Sequence, residues 1–234
     1  MDEITPTALE QLRQRATEIH RRLLQTFGRP DWSRRLSPLE ELVSTILSQN
    51  TNDRNRDLAY ENLRARFPTW EAVRDADPAA VIDAIRQAGL ANQKGPRIQS
   101  VLRQVTEECG QLNLDFLRSY PPQQALDWLL RFKGVGPKTA SIVLQFALDL
   151  PAFPVDTHIY RVSGRLGLRP AKMTVEQAHE FLAGLFPPAE YGPAHINLIL
   201  LGRRICHARR PDCPACPLQG LCDYYQQQSS AGQA

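Results

Sequence analysis

The sequence lacks any stretch that predicts a membrane span or an export signal. No run approaches the roughly 18 consecutive apolar residues that a membrane helix requires. The first residues, Met1-Asp2-Glu3-Ile4-Thr5-Pro6, lack the basic and then apolar pattern of a secretory leader. We therefore expect the protein to stay in the cytoplasm, a reducing compartment in which disulfides are rare.

Lysine is scarce among the cations. The chain carries 28 lysines and arginines against 25 acidic residues, a formal net charge of +3, and its only lysines are Lys94, Lys133, Lys138 and Lys172. A mildly basic chain is compatible with a nucleic-acid partner but does not demonstrate one. The scarcity makes the position of each lysine more informative.

Long alternating segments, the signature of a half-buried strand, are also absent. Helical signals are present instead: Ser37-Pro38-Leu39-Glu40 is a capping box, Asp77-Pro78 opens another helix, and Thr174-Val175-Glu176-Gln177 is a second capping box. We predict an all-α protein. The polar residues 226–234 predict a disordered tail.

Cysteine is rare until the end of the chain. Cys206, Cys213, Cys216 and Cys222 follow the spacing Cys-x6-Cys-x2-Cys-x5-Cys, and Cys109 is the only other cysteine, which we expect to be a small buried side chain. Four thiolates this close together can converge on one metal centre, either zinc or an iron–sulfur cluster. Two disulfides are the alternative, which a reducing compartment disfavours.

A glycine turn separates two apolar helical segments in the middle of the chain. Gly134-Val135-Gly136 follows the segment that ends at Phe132, and Pro137 stands at the first position of the next helix. Two glycines let the backbone turn tightly and leave amide hydrogens uncovered, so that with the free amides of the incoming helix they can hold a phosphate oxygen. The pattern predicts a helix-hairpin-helix that grips DNA backbone without reading sequence. A simple tight turn is the alternative.

Lys138 lies in the first turn of the helix after this hairpin. The positive end of the helix dipole disfavours an ammonium there, which favours the neutral, nucleophilic amine. Such an amine could attack a sugar carbon and form a Schiff base. A lysine that only pairs with phosphate is the alternative.

Asp156, in Val155-Asp156-Thr157-His158, is the predicted N-cap of a further helix. A carboxylate that accepts backbone amide hydrogens stays ionised at neutral pH. It could stabilise positive charge at a sugar C1′ carbon or move protons to and from the lysine. An ordinary helix cap is the alternative.

These features occur in one order: the hairpin with its lysine, Val-Asp-Thr-His after one more helix, and the cysteine tail. In this the chain resembles the endonuclease III family of helix-hairpin-helix DNA glycosylases, from about Ser37 to Cys222. The resemblance implies two helical lobes with a DNA-binding cleft between them. One is a six-helix barrel over 31–150 with the hairpin at about 124–147, and the other, a cluster lobe, combines 1–30 with 151–225.

The resemblance also implies the roles of individual residues. Lys138 is the expected nucleophile and Asp156 the catalytic carboxylate. Gln49 or Asn50 matches the polar residue that fills the gap in the opened duplex, and Leu90 matches an apolar wedge; a helix C-cap and a core leucine are the alternatives. The remaining expected sites are the [4Fe–4S] ligands Cys206, Cys213, Cys216 and Cys222, which the base-excision chemistry does not need, and the DNA contacts Gly134, Val135, Gly136 and His158. Arg209 and Arg210 lie in the basic loop between Cys206 and Cys213 and are expected to contact phosphate; a solvated loop is the alternative.

The sequence departs from the family pattern at three places. Phe132-Lys133 stands where the family usually has Leu-Pro, Leu130 occupies a position that is often acidic, and residues 111–122 form a longer stretch than usual. These departures put the range of substrates in doubt. The lyase chemistry is still expected, because Lys138 and Asp156 are both present.

We therefore hypothesise a monomeric, nucleoid-associated enzyme of base-excision repair. It would be a bifunctional DNA glycosylase and abasic-site lyase that acts on oxidised pyrimidines in double-stranded DNA. A glycosylase specific for thymine or adenine mismatches is one alternative. A non-catalytic DNA-binding iron–sulfur module is the other.

Overall fold

The computed structural model describes residues 5–31 and 35–231, and within those ranges the chain is helical and contains no strand. The prediction of an all-α protein is confirmed. The chain divides into two compact units, which we call the hairpin unit (Arg34–Leu150) and the cysteine unit (Met1–Ser33 with Pro151–Ala234). No helix in the described ranges is long and apolar enough to cross a membrane.

Twelve α-helices are found in the described residues, in the order α1 (Pro6–Phe27), α2 (Pro38–Ser48), α3 (Asp53–Arg66), α4 (Trp70–Asp75), α5 (Pro78–Ala84), α6 (Ala91–Cys109), α7 (Pro122–Leu130), α8 (Pro137–Ile142), α9 (Thr157–Arg165), α10 (Val175–Ala183), α11 (Tyr191–Arg204) and α12 (Asp223–Ala231). Helices α2 to α8 belong to the hairpin unit. The other five belong to the cysteine unit.

The start of α2 shows how local sequence determines where a helix of the hairpin unit begins and which face it buries. The Ser37 hydroxyl accepts the backbone N–H of Glu40, and the Glu40 carboxylate accepts the N–H of Ser37, which confirms the predicted capping box. From this start the apolar side chains repeat at helical spacing, and one face of α2 is fully buried. That face consists of Leu39, Leu42, Val43, Ile46 and Leu47.

The predicted hairpin is formed by α7 and α8. Gly134 has a φ of 87°, a conformation that favours glycine, and Pro137 is the first residue of α8, as predicted. After Ile142 the chain continues as a π-helical segment, Val143–Leu148. Phe132 is buried and packs edge-on to Trp128 at 4.9 Å, whereas Lys133 is exposed. Where the sequence departs from the family's Leu-Pro, Phe132 therefore packs in the core and Lys133 adds a cation to the surface.

The long stretch at residues 111–122 packs against its own unit. Leu114 and Leu117 are fully buried, and the Phe116 ring meets Trp128 edge-on at 5.2 Å. The apolar side chains of this stretch therefore pack inside the hairpin unit.

The cysteine unit joins the start of the chain to its last third. α1 packs along α11, and α11 packs along α9. The predicted capping box at Thr174 is confirmed, because its hydroxyl accepts the N–H of Gln177 and the Gln177 side chain accepts the N–H of Thr174. The N- and C-terminal parts are also tied by Arg15, which donates to Leu221 O at 2.7 Å and pairs with Asp223.

The tail is a correction to the sequence analysis. Disorder was predicted for residues 226–234, but α12 runs on to Ala231, and residues 232–234 lie outside the described residues. The Gln226 N–H donates to Cys222 O, and the Gln228 side chain donates to the Tyr224 hydroxyl one turn back. Glutamine is a good helix former, so a helix anchored at Asp223 continues through these polar residues.

Candidate nucleic-acid and catalytic site

The hairpin turn presents backbone donors that its own unit leaves free. Val135 is buried and donates its N–H to Phe132 O at 3.0 Å. Within the described part of the hairpin unit, the N–H groups of Gly134 and Gly136 have no such acceptor. A Cβ added at Gly136 would meet no atom within 4 Å, so this side of the turn is open. The arrangement suits an anionic oxygen.

Arg97 and Gln49 hold this turn in place, and the role of Arg97 was missed by the sequence analysis. The Gln49 side-chain amide donates to Gly134 O at 3.1 Å, and Arg97 Nη1 donates to Gln49 Oε1 at 2.6 Å. A Cβ at Gly134 would displace the end of the Arg97 side chain, and the positive φ there favours glycine. No periodic pattern marks Arg97, because its partners are distant in sequence.

Lys138 is the second residue of α8 and is half-buried. Among the described residues of the hairpin unit, no carboxylate or carbonyl is bonded to its amine. The hairpin therefore places a lysine at a helix N-terminus, beside the open amides, without an ion-pair partner in its own unit. This is where a nucleophilic amine that meets a DNA backbone would be expected.

At the predicted duplex-opening positions, the helix-cap alternative applies to Gln49, whereas the core-leucine alternative does not apply to Leu90. Gln49 is the C-cap of α2, and its side chain is bonded to the hairpin, whereas Asn50 is exposed with a φ of 52°. Leu90 is 49% exposed and has a φ of 51°, so it is not a core leucine. A positive φ is uncommon for a non-glycine residue and often marks a functional position.

Lys94 is the second residue that the sequence analysis missed. Its side chain is only 1% exposed and lies beneath the segments that carry Asn50 and Leu90, where it donates to Leu47 O, Thr51 Oγ1 and Ala88 O. Burial, with a smaller effect from Arg97, lowers the pKa of Lys94 to about 8. The scarcity of lysine was the one sequence signal that could have drawn attention to this position.

In the cysteine unit, Asp156 caps α9 as predicted. Its Oδ1 accepts the N–H of Ile159 at 2.8 Å, and the preceding Val155 is buried. The backbone of Pro154, two residues before Asp156, is fixed by the buried His195, whose Nδ1 is 2.9 Å from Pro154 O. His158 is half-buried, and its Nδ1 is 3.1 Å from Arg161 Nη2. Asp156 thus lies at a capped helix start, and the second oxygen of its side chain is available for other partners.

The four C-terminal cysteines are gathered around one place. All four are free thiols that line a single cavity, together with Leu166, Leu201 and Tyr225. Arg165 Nη1 donates to Cys206 Sγ at 3.2 Å. Burial raises the pKa of the Cys216 thiol, and the other three cysteines act in the same direction. The set fits a thiolate-bound metal group.

The four cysteines line one cavity, but they do not form a single-ion site. Among the described residues, no group of three or more His, Cys, Asp or Glu side chains is arranged to hold a single metal ion. The ligands of an iron–sulfur cluster bind different iron atoms and stand further apart than the ligands of one ion.

Arg165 also orders the loop between Cys206 and Cys213. It donates to His207 O at 2.6 Å and to Ala208 O at 3.0 Å. The loop carries Arg209 and Arg210, both exposed, and Arg210 has a φ of 51°. The predicted DNA-contacting arginines therefore lie on a loop that a neighbouring helix holds.

The geometry agrees with a comparison against known families. Residues 43–188, well over half of the chain, match the HhH-GPD superfamily of base excision DNA repair proteins. The chain belongs to this superfamily.

Its relatives identify the type of glycosylase. Endonuclease III of Thermotoga maritima is 34% identical over 209 residues, which cover 89% of this chain and 92% of the relative. Endonuclease III of Sulfolobus acidocaldarius is 33% identical over 186 residues, 79% of this chain and 81% of the relative. A solved endonuclease III–DNA complex superposes with a TM-score of 0.80 at 27% identity and covers 93% of this chain and 98% of the other.

The protein is thus a DNA glycosylase of base-excision repair, of the endonuclease III type. The resemblance noted in the sequence is confirmed, and the structural neighbours in complex with DNA support DNA binding by this glycosylase.

Proposed function

We propose that this glycosylase is bifunctional: it removes oxidised pyrimidines from double-stranded DNA and then cleaves the strand by β-elimination. The observation that carries the proposal is Lys138, a half-buried amine in the first turn of α8, next to the open amides of Gly134 and Gly136. A monofunctional glycosylase that activates water has no need for an amine at this position.

In the proposed reaction the neutral Lys138 amine attacks C1′ of the damaged nucleotide. The C1′–base bond breaks, and the base leaves with its electron pair and takes up a proton. The substituted ammonium formed at C1′ loses a proton, the C1′–O4′ bond breaks as O4′ takes up a proton, and a protonated imine then joins Nζ to C1′. The imine acidifies C2′, so that loss of a C2′ proton expels the 3′ phosphate and cuts the strand.

We assign the electrostatic role to Asp156. Its Oδ1 accepts the Ile159 N–H at 2.8 Å, which leaves the second oxygen for other partners. An ionised carboxylate stabilises positive charge that develops at C1′ when the base departs, and it can relay the protons that the amine loses.

Access to the damaged base requires that it leave the duplex, at a cost of a few kcal/mol that is lowest for poorly stacked bases. Asn50 and Leu90 are our candidates for the residues that enter the vacated space. Both are exposed, and both have a left-handed backbone that projects them from their loops. Gln49 is excluded from this role in our proposal, because its side chain is bonded to Gly134 and Arg97.

We propose that Cys206, Cys213, Cys216 and Cys222 hold a [4Fe–4S] cluster. Four thiolates from one short segment that line one cavity match this ligand set, and the endonuclease III relatives favour the cluster over zinc. When bound, the cluster supplies cross-links that hold the 207–212 loop to the start of α12. Arg209, Arg210 and His158 are then the proposed phosphate contacts of the cysteine unit, and the protein is proposed to act as a monomer.

We expect Cys216→Ser to lose most of its iron and to unfold more easily, by on the order of 3 kcal/mol or more, because metal–ligand bonds contribute directly to folding. Iron quantification and chemical denaturation measure both effects. Cys109→Ser, a change in the hairpin unit, is the matched control and should keep the iron content of the unaltered protein. Zinc in place of iron would refute the cluster, and equal iron in both variants would refute the ligand assignment.

The proposed function is tested on a set of duplexes that each contain one lesion: an oxidised pyrimidine, a thymine or adenine mismatch, or an abasic site. We expect strand cleavage without alkali at the oxidised pyrimidine and the abasic site, and a covalent protein–DNA adduct when borohydride reduces the imine. Base release that needs alkali to break the strand would indicate a monofunctional enzyme. Binding to all duplexes without base release would favour the non-catalytic module.

A further inference from the structure

Lys94 is the most deeply buried charged side chain among the described residues, and the proposed chemistry does not use it. It lies in the first turns of α6 and is 1% exposed. Its Nζ donates to Leu47 O at 2.7 Å, to Ala88 O at 2.8 Å and to Thr51 Oγ1 at 2.9 Å. Three N–H donors thus meet three acceptors, and no acidic side chain is among them.

The three acceptors flank the two proposed duplex-opening residues. Leu47 and Thr51 lie on either side of Asn50, and Ala88 lies two residues before Leu90. The Thr51 hydroxyl is bonded to Ala88 O as well, so the two segments are joined both directly and through the ammonium. One cation therefore sets the spacing between two loops that are distant in sequence.

Both loops need such support. Asn50 and Leu90 have φ values of 52° and 51°, a backbone conformation that is strained for non-glycine residues and persists only where the surroundings hold it. Leu90 is also 49% exposed and gains little from its own packing. A buried cation without an acidic partner is itself costly, and an apolar residue of similar size would favour stability more. Stability alone does not explain a lysine here.

We propose that Lys94 is a positioning residue for base extrusion, which holds the Asn50 and Leu90 loops at the separation needed to enter the duplex together. The proposal rests on the proposed function, because it assumes that these two residues occupy the space left by the extruded base. It assigns Lys94 no contact with DNA and no part in the chemistry at Lys138.

The test compares cleavage of one abasic site in duplex and in single-stranded DNA under single-turnover conditions. Single-stranded DNA has no partner strand from which a nucleotide must be extruded, so it needs the lyase chemistry but not the wedge. In Lys94→Met we expect the duplex rate to fall by about 10- to 100-fold, as for a misplaced positioning group, and the single-strand rate to change by less than about 2-fold. Lys172→Met, which removes an exposed lysine of the cysteine unit, should alter neither rate.

A double-mutant cycle separates positioning from general damage. Because Lys94 acts through the wedge, Lys94→Met should cost much less in a Leu90→Ala background than in the unaltered protein. Equal loss on both substrates, or additive losses with Leu90→Ala, would show that Lys94 only supports the fold. An unaltered protein that cleaves neither substrate would overturn the proposed function instead.

A second variant covers the case in which Lys94→Met does not fold. Thr51→Val removes one of the three acceptors and keeps the size of the side chain. The duplex rate should fall by about 3- to 10-fold relative to the single-strand rate, because the bonds of the hydroxyl to Lys94 and to Ala88 O are both lost. An unchanged ratio in Thr51→Val would refute the proposal.

Discussion

Replacing Lys138 with glutamine is expected to abolish the borohydride-trapped adduct and to slow strand cleavage at an abasic site by a factor on the order of 10³ or more. Glutamine is similar in size and keeps a polar end, but its amide nitrogen is not nucleophilic and cannot form an imine. The Lys138 side chain is half-buried and has no bonded partner in the described hairpin unit, so its loss should change the free energy of unfolding by less than about 0.5 kcal/mol.

Substitutions of two other lysines serve as controls for the Lys138→Gln result. Lys133 is exposed five residues before Lys138, and Lys172 is exposed in the cysteine unit. Lys133→Gln should still form the adduct, with weaker binding to DNA as its main defect, and Lys172→Gln should behave like the unaltered protein. An adduct that survives in Lys138→Gln and disappears in Lys133→Gln would transfer the nucleophile to Lys133.

Features encoded by neighbouring residues could be predicted from the sequence. The two capping boxes, the proline at the start of α8 and the N-cap Asp156 all act within three or four residues, and the structure has each of them where it was predicted. Local signals depend on backbone geometry that is the same in every protein. For this reason the helical class and the hairpin followed from the sequence without a knowledge of tertiary contacts.

Features that depend on distant contacts could not be predicted in this way. Lys94 meets Leu47, 47 positions away, and Gln49 meets Gly134, 85 positions away. Nothing near these residues in the chain marks the partners. The choice between Gln49 and Asn50, which the sequence left open, depends on the same contacts, because the hairpin occupies the Gln49 side chain.

The cysteine unit illustrates a second limit. Arg15 of α1 is bonded to Leu221 O across 206 positions, and composition or periodicity offers no reason to join these ends. The union of the N-terminal helix with the last third of the chain was anticipated only through the family resemblance. The tail was mispredicted for the opposite reason: a polar composition suggested disorder, whereas the anchored start of α12 extends the helix.

Asp156→Asn offers the sharpest separation of fold from chemistry in this protein. Asparagine caps helices as well as aspartate does, so its side-chain oxygen should still accept the Ile159 N–H and preserve the start of α9. The negative charge, however, is lost. We expect base release to slow by about 10²- to 10⁴-fold, the range typical of a lost acid–base or electrostatic group, while the free energy of unfolding changes by only a few tenths of a kcal/mol.

Asp156→Ala completes the comparison, because alanine removes both the charge and the cap. It should lose activity to the same extent as Asp156→Asn and should also lower the free energy of unfolding by about 1 kcal/mol. Single-turnover base release and urea denaturation on the three proteins give both quantities. If Asp156→Asn released the base at the normal rate and Asp156→Ala did not, the residue would act only as a helix cap, and the charge that assists departure of the base would have to come from another group.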